Sequence, residues 1–200
     1  FVMSENKLLY KKMPQEELVV LAQQEDFKAL EELIRRIQRD VFATLSYIVN
    51  NNNNLSDLTQ EVLLKVAKNI QTLKNPKCFK GWLNHIITNT CYDELRKQKK
   101  SPETISIDYT CEALNINLKI DIPDNKSKPI EKCITSECEK LIKSAIRELP
   151  ESFRIAIVLR EFQGLSYEEI ARTTNSNIGT VKSRISRARI KLQEVLKNYI

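Results

Sequence analysis

The sequence predicts an all-α protein made of two small helical domains, an N-terminal helical bundle and a C-terminal helix-turn-helix domain, joined by a flexible acidic linker. Leucine, isoleucine and valine recur at helical spacing through most of residues 15–97 and again after residue 134. The segment between these blocks loses the periodicity and is interrupted by prolines. Glycine occurs only three times in the 200 residues, too rarely for a turn-rich β fold. The predicted domains are residues 1–100 and 134–200, and the linker is 101–133.

The N-terminal domain is predicted to contain four helices. Pro14 can open the first, because proline suits the first turn of a helix. The asparagines at 50–54 favour a loop after the second helix. Ser56 is predicted to be the N-cap of the third, since a serine hydroxyl accepts from free backbone N–H groups. The predicted helices are about 14–22, 26–49, 56–73 and 79–97.

The C-terminal domain is also predicted to contain four helices. Gly164 is well placed to end the second, because glycine readily adopts the left-handed conformation after a helix. Ser166 is predicted to cap a short third helix, with Glu168 and Glu169 in its first turn. A turn at 174–177 then leads into the last helix. The predicted helices are about 134–149, 150–162, 166–173 and 177–197.

Charge is distributed unevenly along the chain. Residues 1–100 carry 16 Lys and Arg against 12 Asp and Glu, and residues 140–200 carry 12 against 6. Residues 101–139 carry 4 against 8 and are therefore acidic. Two basic blocks around an acidic one are expected of two nucleic-acid-facing modules with a tether that avoids DNA. Charge alone leaves open the alternative that the basic helices are simply exposed to water and bind no nucleic acid.

Composition argues against several classes of protein. His85 is the single histidine, no CxxC pair occurs among the five cysteines, and no glycine-rich phosphate loop is present. We therefore expect neither an enzyme nor a metal or other cofactor. The longest apolar runs are far shorter than the roughly 20 residues that a membrane span needs. We expect no signal peptide and no membrane insertion, and so a cytoplasmic location.

The last helix has one apolar and one basic face at 100° per residue. Val181, Ile185, Ala188 and Leu192 form a single apolar stripe. The opposite face carries Lys182, Ser183, Ser186, Arg187 and Arg189, with Arg184 at its edge. Small serines between long hydrogen-bond donors suit a helix that enters a DNA major groove. Because this helix follows a capped short helix and a tight turn, the pattern predicts a helix-turn-helix.

These residues resemble a known family. The segment LPESFRIAIVLREFQGLSYEEIARTTNSNIGTVKSRISRAR, residues 149–189, resembles region 4 of bacterial sigma factors, most of all the small extracytoplasmic-function group of the sigma-70 family. The segment DLTQEV at 57–62 resembles region 2.2, and residues 79–96 resemble regions 2.3 and 2.4. The resemblance covers roughly residues 15–100 and 135–195. It implies an RNA polymerase sigma factor that binds core polymerase and directs promoter-specific transcription initiation.

The resemblance also implies roles for individual residues. The −35 element would be read in the major groove by Lys182, Ser183, Ser186, Arg187 and Arg189, with Arg160 and Arg184 on phosphates. The melted −10 element would be read by Lys74, Asn75, Lys77 and Phe79 of one loop and by Asn89, Asp93, Arg96 and Lys97 of the following helix. Asp57, Gln60 and Glu61 would contact polymerase. Partners would be core RNA polymerase, through its β′ coiled coil and β flap, promoter DNA and an anti-sigma factor.

Some alternatives stay open at this stage. Phe79 and Trp82 suit the core of the bundle as well as a stacking platform for a base. Asparagines replace the acidic residues that often precede the Asp57 motif in the family. A transcription regulator with the same DNA reader is the main competing function, although it would need a sensing or phosphoacceptor domain that the N-terminal pattern does not indicate.

Overall fold

The computed structural model describes residues 9–50, 54–100 and 129–197, without the side chains of 99–100 and 129–136. All regular structure within these ranges is helical, which confirms the all-α prediction. A helical turn at 9–12 comes first. The α-helices that follow are α1 Gln15–Gln23, α2 Phe27–Ile48, α3 Leu55–Asn69, α4 Phe79–Lys100, α5 Pro129–Arg147, α6 Glu151–Glu161, α7 Tyr167–Thr173 and α8 Ile178–Lys197. Two 3-10 turns, Ile70–Thr72 and Pro76–Cys78, join α3 to α4.

The predicted linker is mostly outside the described residues. Its segment 101–128 is not described, and α5 already begins at Pro129, a few residues before the predicted start of the C-terminal domain. On the N-terminal side of the linker, α4 continues to Lys100.

The start and the end of α3 differ from the prediction. The helix begins at Leu55, and Asn54 precedes it, so the prediction that Ser56 is the N-cap is wrong. Leu55 is buried, and packing of this side chain moves the N-cap two residues toward the N-terminus, from Ser56 to Asn54. The helix ends at Asn69, where the chain tightens into the 3-10 turn Ile70–Thr72.

The N-terminal bundle buries one stripe of each long helix. The stripe of α2 is Leu33, Ile37, Val41, Leu45 and Ile48, and it packs against Leu58, Val62 and Val66 of α3 and Leu83, Ile87 and Leu95 of α4. Each fully buried side chain of this size contributes roughly 1.5–3 kcal/mol through loss of water contact. This shared core holds α3 and α4 in fixed positions on α2.

A buried carboxylate joins the start of the chain to α2. Glu32 accepts hydrogen bonds from Arg35 at 2.7 and 2.8 Å and from Arg36 at 2.8 Å. Arg36 in turn donates to the carbonyls of Tyr10 and Met13, both at 2.7 Å. The bonds from the two guanidinium groups outweigh the effect of burial and lower the pKa of Glu32 to about 2.

The C-terminal domain forms around α6, which is buried on most sides. Ile155, Val158 and Leu159 of α6 are fully buried, and α8 packs against this helix. In α5, the side chain of Ile142 is exposed. Ile146, one helical turn further along α5, is buried in its place.

The two domains pack against each other, a feature that the sequence did not predict. Helix α6 contacts α2, and α7 contacts α4. Arg154 is buried, and its guanidinium donates across the boundary to the Ile48 carbonyl at 2.9 Å and to the Asn50 side chain. Gln163 donates to the Thr44 hydroxyl at 2.6 Å. The buried apolar residues of both domains therefore form one continuous cluster.

Candidate nucleic-acid interface

The short helix α7 begins at a complete capping box, as the sequence predicts. The Ser166 hydroxyl accepts from the backbone N–H of Glu169 at 3.1 Å, and the Glu169 carboxylate accepts from the backbone N–H of Ser166 at 2.7 Å. Gly164 precedes this cap with a φ of +65°, a conformation that suits glycine. Together these residues end α6 and set the direction of α7.

The turn between α7 and α8 is also fixed by local bonds. Asn175 adopts a φ of 48°, which asparagine tolerates better than most other residues. The Asn177 side chain then accepts from the backbone N–H of Thr180 at 2.7 Å and caps the first turn of α8. The angle between the two helices is therefore determined within a few residues.

The rotation of α8 about its axis is set by its apolar stripe. Val181, Ile185 and Ala188 are completely or almost completely buried. Because they fix one side of the helix against α6 and α7, the opposite side faces solvent. The exposed residues there are the predicted set Lys182, Ser183, Ser186, Arg187 and Arg189.

Arg189 forms an ion pair with a carboxylate inside the domain. Its guanidinium donates to the Glu161 carboxylate at 2.6 Å and 3.1 Å. The hydrogen bond to this carboxylate raises the pKa of Arg189. The pair is largely exposed, so it contributes little stability but holds the guanidinium beside the end of α6.

The two predicted phosphate contacts are half-buried and also have internal partners. Arg160 donates to the Leu165 carbonyl at 2.7 Å, and its guanidinium lies 4.9 Å from the centre of the Tyr167 ring. Arg184 donates to the Ser176 hydroxyl at 2.8 Å. Both side chains are therefore held in one orientation at the joint between α6, α7 and α8.

The predicted −10 residues of α4 lie together on one exposed face. Asn89, Asp93, Arg96 and Lys97 are all exposed. Asn89 contacts His85, one turn earlier, at 3.2 Å, and Asp93 pairs loosely with Arg96 at 3.8 Å. This face therefore presents amide, carboxylate and guanidinium groups directly to solvent.

The loop before α4 is shaped by Asn75, whose side chain accepts from the backbone N–H of Lys77 at 3.0 Å. Lys74, Asn75 and Lys77 are exposed. Phe79, in contrast, is only 1% exposed, and its ring centre lies 5.9 Å from that of Trp82. The structure thus places Phe79 in the core, one of the two positions that the sequence left open, and not on the exposed surface where the resemblance implies a contact with the −10 strand.

The predicted polymerase-binding residues share one face of α3. Asp57 and Gln60 are exposed, and Glu61 is half-buried. Glu61 pairs with Lys65 at 2.7 Å, and Lys65 also donates to the Thr90 hydroxyl of α4. Sequence reasoning missed Leu64, which lies on the same face and is 58% exposed.

Neither metal ligands nor a membrane span are found in the described part of the chain. Among the described residues, no group of three or more His, Cys, Asp or Glu side chains is placed to hold a metal ion. None of the described helices is both long enough and apolar enough to cross a membrane. Burial raises the pKa of the Cys91 thiol to about 12, so this cysteine is a neutral core residue.

Comparisons with known proteins match both domains. The family described as Sigma-70 region 2 matches residues 33–101, and the family described as Sigma-70, region 4 matches residues 139–192. Two solved structures share the fold. The sigma factor RpoE of Bartonella quintana, in complex with the anti-sigma factor NepR, has a TM-score of 0.62 at 26% identity over 85% of this chain and 98% of its own. CnrH in complex with the cytosolic domain of CnrY has a TM-score of 0.60 at 19% identity, over 92% of this chain and 97% of its own.

Relatives with assigned roles are similar over nearly the whole chain. The ECF RNA polymerase sigma-E factor of Haemophilus influenzae is 34% identical over 187 residues, which cover 92% of this chain and 93% of the relative. The protein of the same name in Escherichia coli K12 is 34% identical over 86% of this chain and 88% of its own length. The chain therefore belongs to the extracytoplasmic-function group of the sigma-70 family and is an RNA polymerase sigma factor for promoter-specific transcription initiation.

Proposed function

We propose that this sigma factor reads the −35 element as duplex DNA with α8 and holds the melted −10 strand with α4 and the loop before it. The observation that carries the proposal is the exposed face of α8. Lys182, Ser186 and Arg187 point away from the buried stripe, on a helix whose direction is set by the Ser166 cap and the Asn177 cap. A rigid helix with small and basic residues on its free face fits a major groove.

On the −35 element, each group has a distinct role in this proposal. Ser183 and Ser186 allow close approach, while Lys182 and Arg187 reach base edges or phosphates. Arg160 and Arg184 hold phosphates, and their internal hydrogen bonds orient them for this. When DNA binds, the Arg189 guanidinium gives up part of its hydrogen bonding to Glu161 and contacts DNA instead. Water can replace the lost contact, because the Glu161 carboxylate is exposed to solvent.

On the −10 element, the exposed loop residues Lys74, Asn75 and Lys77 form the edge of a pocket for an unstacked base. Unstacking costs a few kcal/mol, so a site that holds the base favours the melted state. Phe79 supports the loop from the core and does not contact the base. The exposed groups Asn89, Asp93, Arg96 and Lys97 of α4 contact the unpaired strand.

Polymerase docking is assigned to α3. Asp57, Gln60 and Glu61 provide an acidic and amide surface for basic groups of the β′ coiled coil, and the C-terminal domain contacts the β flap. This docking places the protein in the cytoplasm, where polymerase acts.

An anti-sigma factor is a further proposed partner. The similar RpoE structure is a complex with an anti-sigma factor, and this likeness supports a comparable partner here. A pulldown of the tagged chain tests whether such a partner binds it. The native cells are collected before the target genes of the sigma factor are induced. Recovery of polymerase without any small inhibitory protein would contradict it.

Reconstituted transcription tests the proposed function. Purified core polymerase and this chain are incubated with a library of template DNA, and the 5′ ends of the transcripts are sequenced. We expect start sites at a fixed distance from two shared sequence elements. A chain that binds duplex DNA alone, and starts transcription only with another initiation factor, would instead be a regulator.

Replacement of Arg187 by alanine tests the contact of α8 with bases. We expect a loss of about 1–3 kcal/mol in initiation from the matched promoter and relaxed preference at one −35 position. Initiation rates on promoters with single −35 substitutions measure both effects. Lys140→Ala, which removes the same charge from an exposed site on α5, is the control and should change neither. An equal loss on every −35 sequence would make Arg187 a phosphate contact.

A further inference from the structure

An exposed apolar patch lies at one end of the N-terminal bundle. Phe27, the first residue of α2, is 79% exposed, more than any other large apolar side chain in the described part of the protein. Beside it is a cleft of about 260 Å³, whose lining includes Leu30 of α2, Ala67 of α3 and Gln71 of the 3-10 turn. Exposed apolar side chains grouped around a cleft are typical of interaction sites.

The position of Phe27 is set by polar contacts and does not depend on burial of its ring. Glu25 adopts a φ of 65°, an uncommon conformation for a residue other than glycine. Asp26 then caps α2 by accepting from the backbone N–H groups of Lys28 and Ala29, and it also accepts from the Tyr10 hydroxyl at 2.8 Å. The ring is therefore presented to solvent at a defined place.

The opposite wall of the cleft is held in a similar way. The Gln23 side chain donates to the carbonyls of Ile70 and Leu73, at 3.0 and 2.7 Å, and so fixes the 3-10 turn against α1. Both walls are thus formed before any partner binds, which reduces the entropy lost on binding.

The patch is continuous with the face of α3 that we assign to polymerase. Leu64 lies one helical turn after Gln60 and Glu61, and Ala67 lies almost one turn further on. Leu64 is 58% exposed, and Ala67 lines the cleft. The acidic and amide residues of α3 are thus followed, along the same face of the helix, by Leu64 and by the cleft that Ala67 lines.

The charges around the patch indicate the chemistry of its partner. Glu25 and Asp26 lie at the cleft, and Asp57 and Glu61 lie along α3. Glu61 is paired with Lys65 at 2.7 Å, and Lys28 and Lys68 interrupt this rim, so the acidic groups without an ion-pair partner are at the cleft and at Asp57. An apolar centre within a polar rim is the usual arrangement of a protein–protein interface. The surface fits a helical partner that carries an apolar side chain flanked by basic residues.

We propose that Phe27, Leu64 and the cleft form an apolar anchor for core RNA polymerase, which extends the docking face of α3 onto the start of α2. The anchor rests on the proposed docking of α3 to polymerase. It assigns most of the affinity to Phe27 and Leu64, because buried apolar anchors usually dominate interfaces and their charged rims contribute less.

Single alanine variants of the full chain test the anchor by equilibrium competition for purified core polymerase. We expect Phe27→Ala and Leu64→Ala each to weaken binding about tenfold or more. Phe42→Ala is the matched control, since Phe42 is an exposed phenylalanine of the same helix, about 22 Å along it from Phe27. Its affinity should remain that of the unaltered chain. Thermal melting should change little in all three variants, because these side chains are exposed.

A double variant, Gln60→Ala with Glu61→Ala, separates the anchor from the docking face. Suppose that this double variant loses affinity for polymerase while Phe27→Ala and Leu64→Ala keep full affinity. That result would overturn the anchor and leave the docking of α3 in place. Full affinity in all these variants would overturn both. A chain that sediments as a dimer, and becomes monomeric on Phe27→Ala without change in polymerase affinity, would make a second copy the occupant and overturn the proposal.

Discussion

Replacing Phe79 with alanine is expected to lower the free energy of unfolding of the N-terminal domain by about 3–5 kcal/mol. The ring is among the largest fully buried side chains of the described chain, and it lies against Trp82. Its removal leaves a cavity under the loop that holds Lys74 and Asn75. Urea denaturation followed through the fluorescence of Trp82, the single tryptophan, measures the loss directly.

Lys77→Ala is the complementary variant in the same loop. The Lys77 side chain is exposed, so its truncation should leave the unfolding midpoint unchanged while it weakens promoter opening. Opening is measured by the reactivity of unpaired thymines on a promoter template. The reverse result, with unchanged stability and lost opening in Phe79→Ala, would show that the ring contacts DNA.

Glu32→Gln is expected to lower the free energy of unfolding by about 3 kcal/mol at neutral pH. The folded protein lowers the pKa of this carboxyl from 4.5 to about 2, and each unit corresponds to about 1.4 kcal/mol. The variant loses the charge that Arg35 and Arg36 share. Glu31→Gln, at the exposed neighbouring position, should have little effect.

The pH dependence of stability gives a second measure of the same group. Because the pKa of Glu32 is lower in the folded chain, its contribution is fully present above pH 4.5 and is lost as the pH falls toward about 2. Unfolding curves of the unaltered chain and of Glu32→Gln should therefore converge near pH 2. A gap of constant size from pH 7 to pH 2 would show that the carboxylate charge does not stabilise the fold.

The elements that the sequence predicted well are those set by nearby residues. The capping box at Ser166 spans three residues, and the apolar stripe of Val181 and Ile185 spans one helical turn, so both can be found in the sequence alone. Ser56 was misjudged as a cap because the helix is extended by burial of Leu55, which depends on the packed core.

The features that were missed depend on residues far apart in the chain. Arg189 and Glu161 are 28 positions apart, and Gln163 and Thr44 are 119 apart, so local periodicity carries no sign of either contact. The burial of Phe79 was left undecided for the same reason. Composition and spacing could place the basic residues on one face of α8, but they could not show which of them already have an intramolecular partner.

The shared core at Arg154 affects how the halves behave when they are studied apart. Fragments cut between residues 101 and 128 would each expose surface that the intact chain buries. The Ile48 carbonyl on one piece would lose its donor, and the Arg154 guanidinium on the other would keep its bond to the Leu149 carbonyl but lose those to Ile48 and Asn50. Tyr47 and Phe162, whose tilted rings have centres 4.3 Å apart, would both expose apolar surface to water. Each fragment should therefore be less stable than the same segment in the intact chain, because the contacts across the boundary are lost.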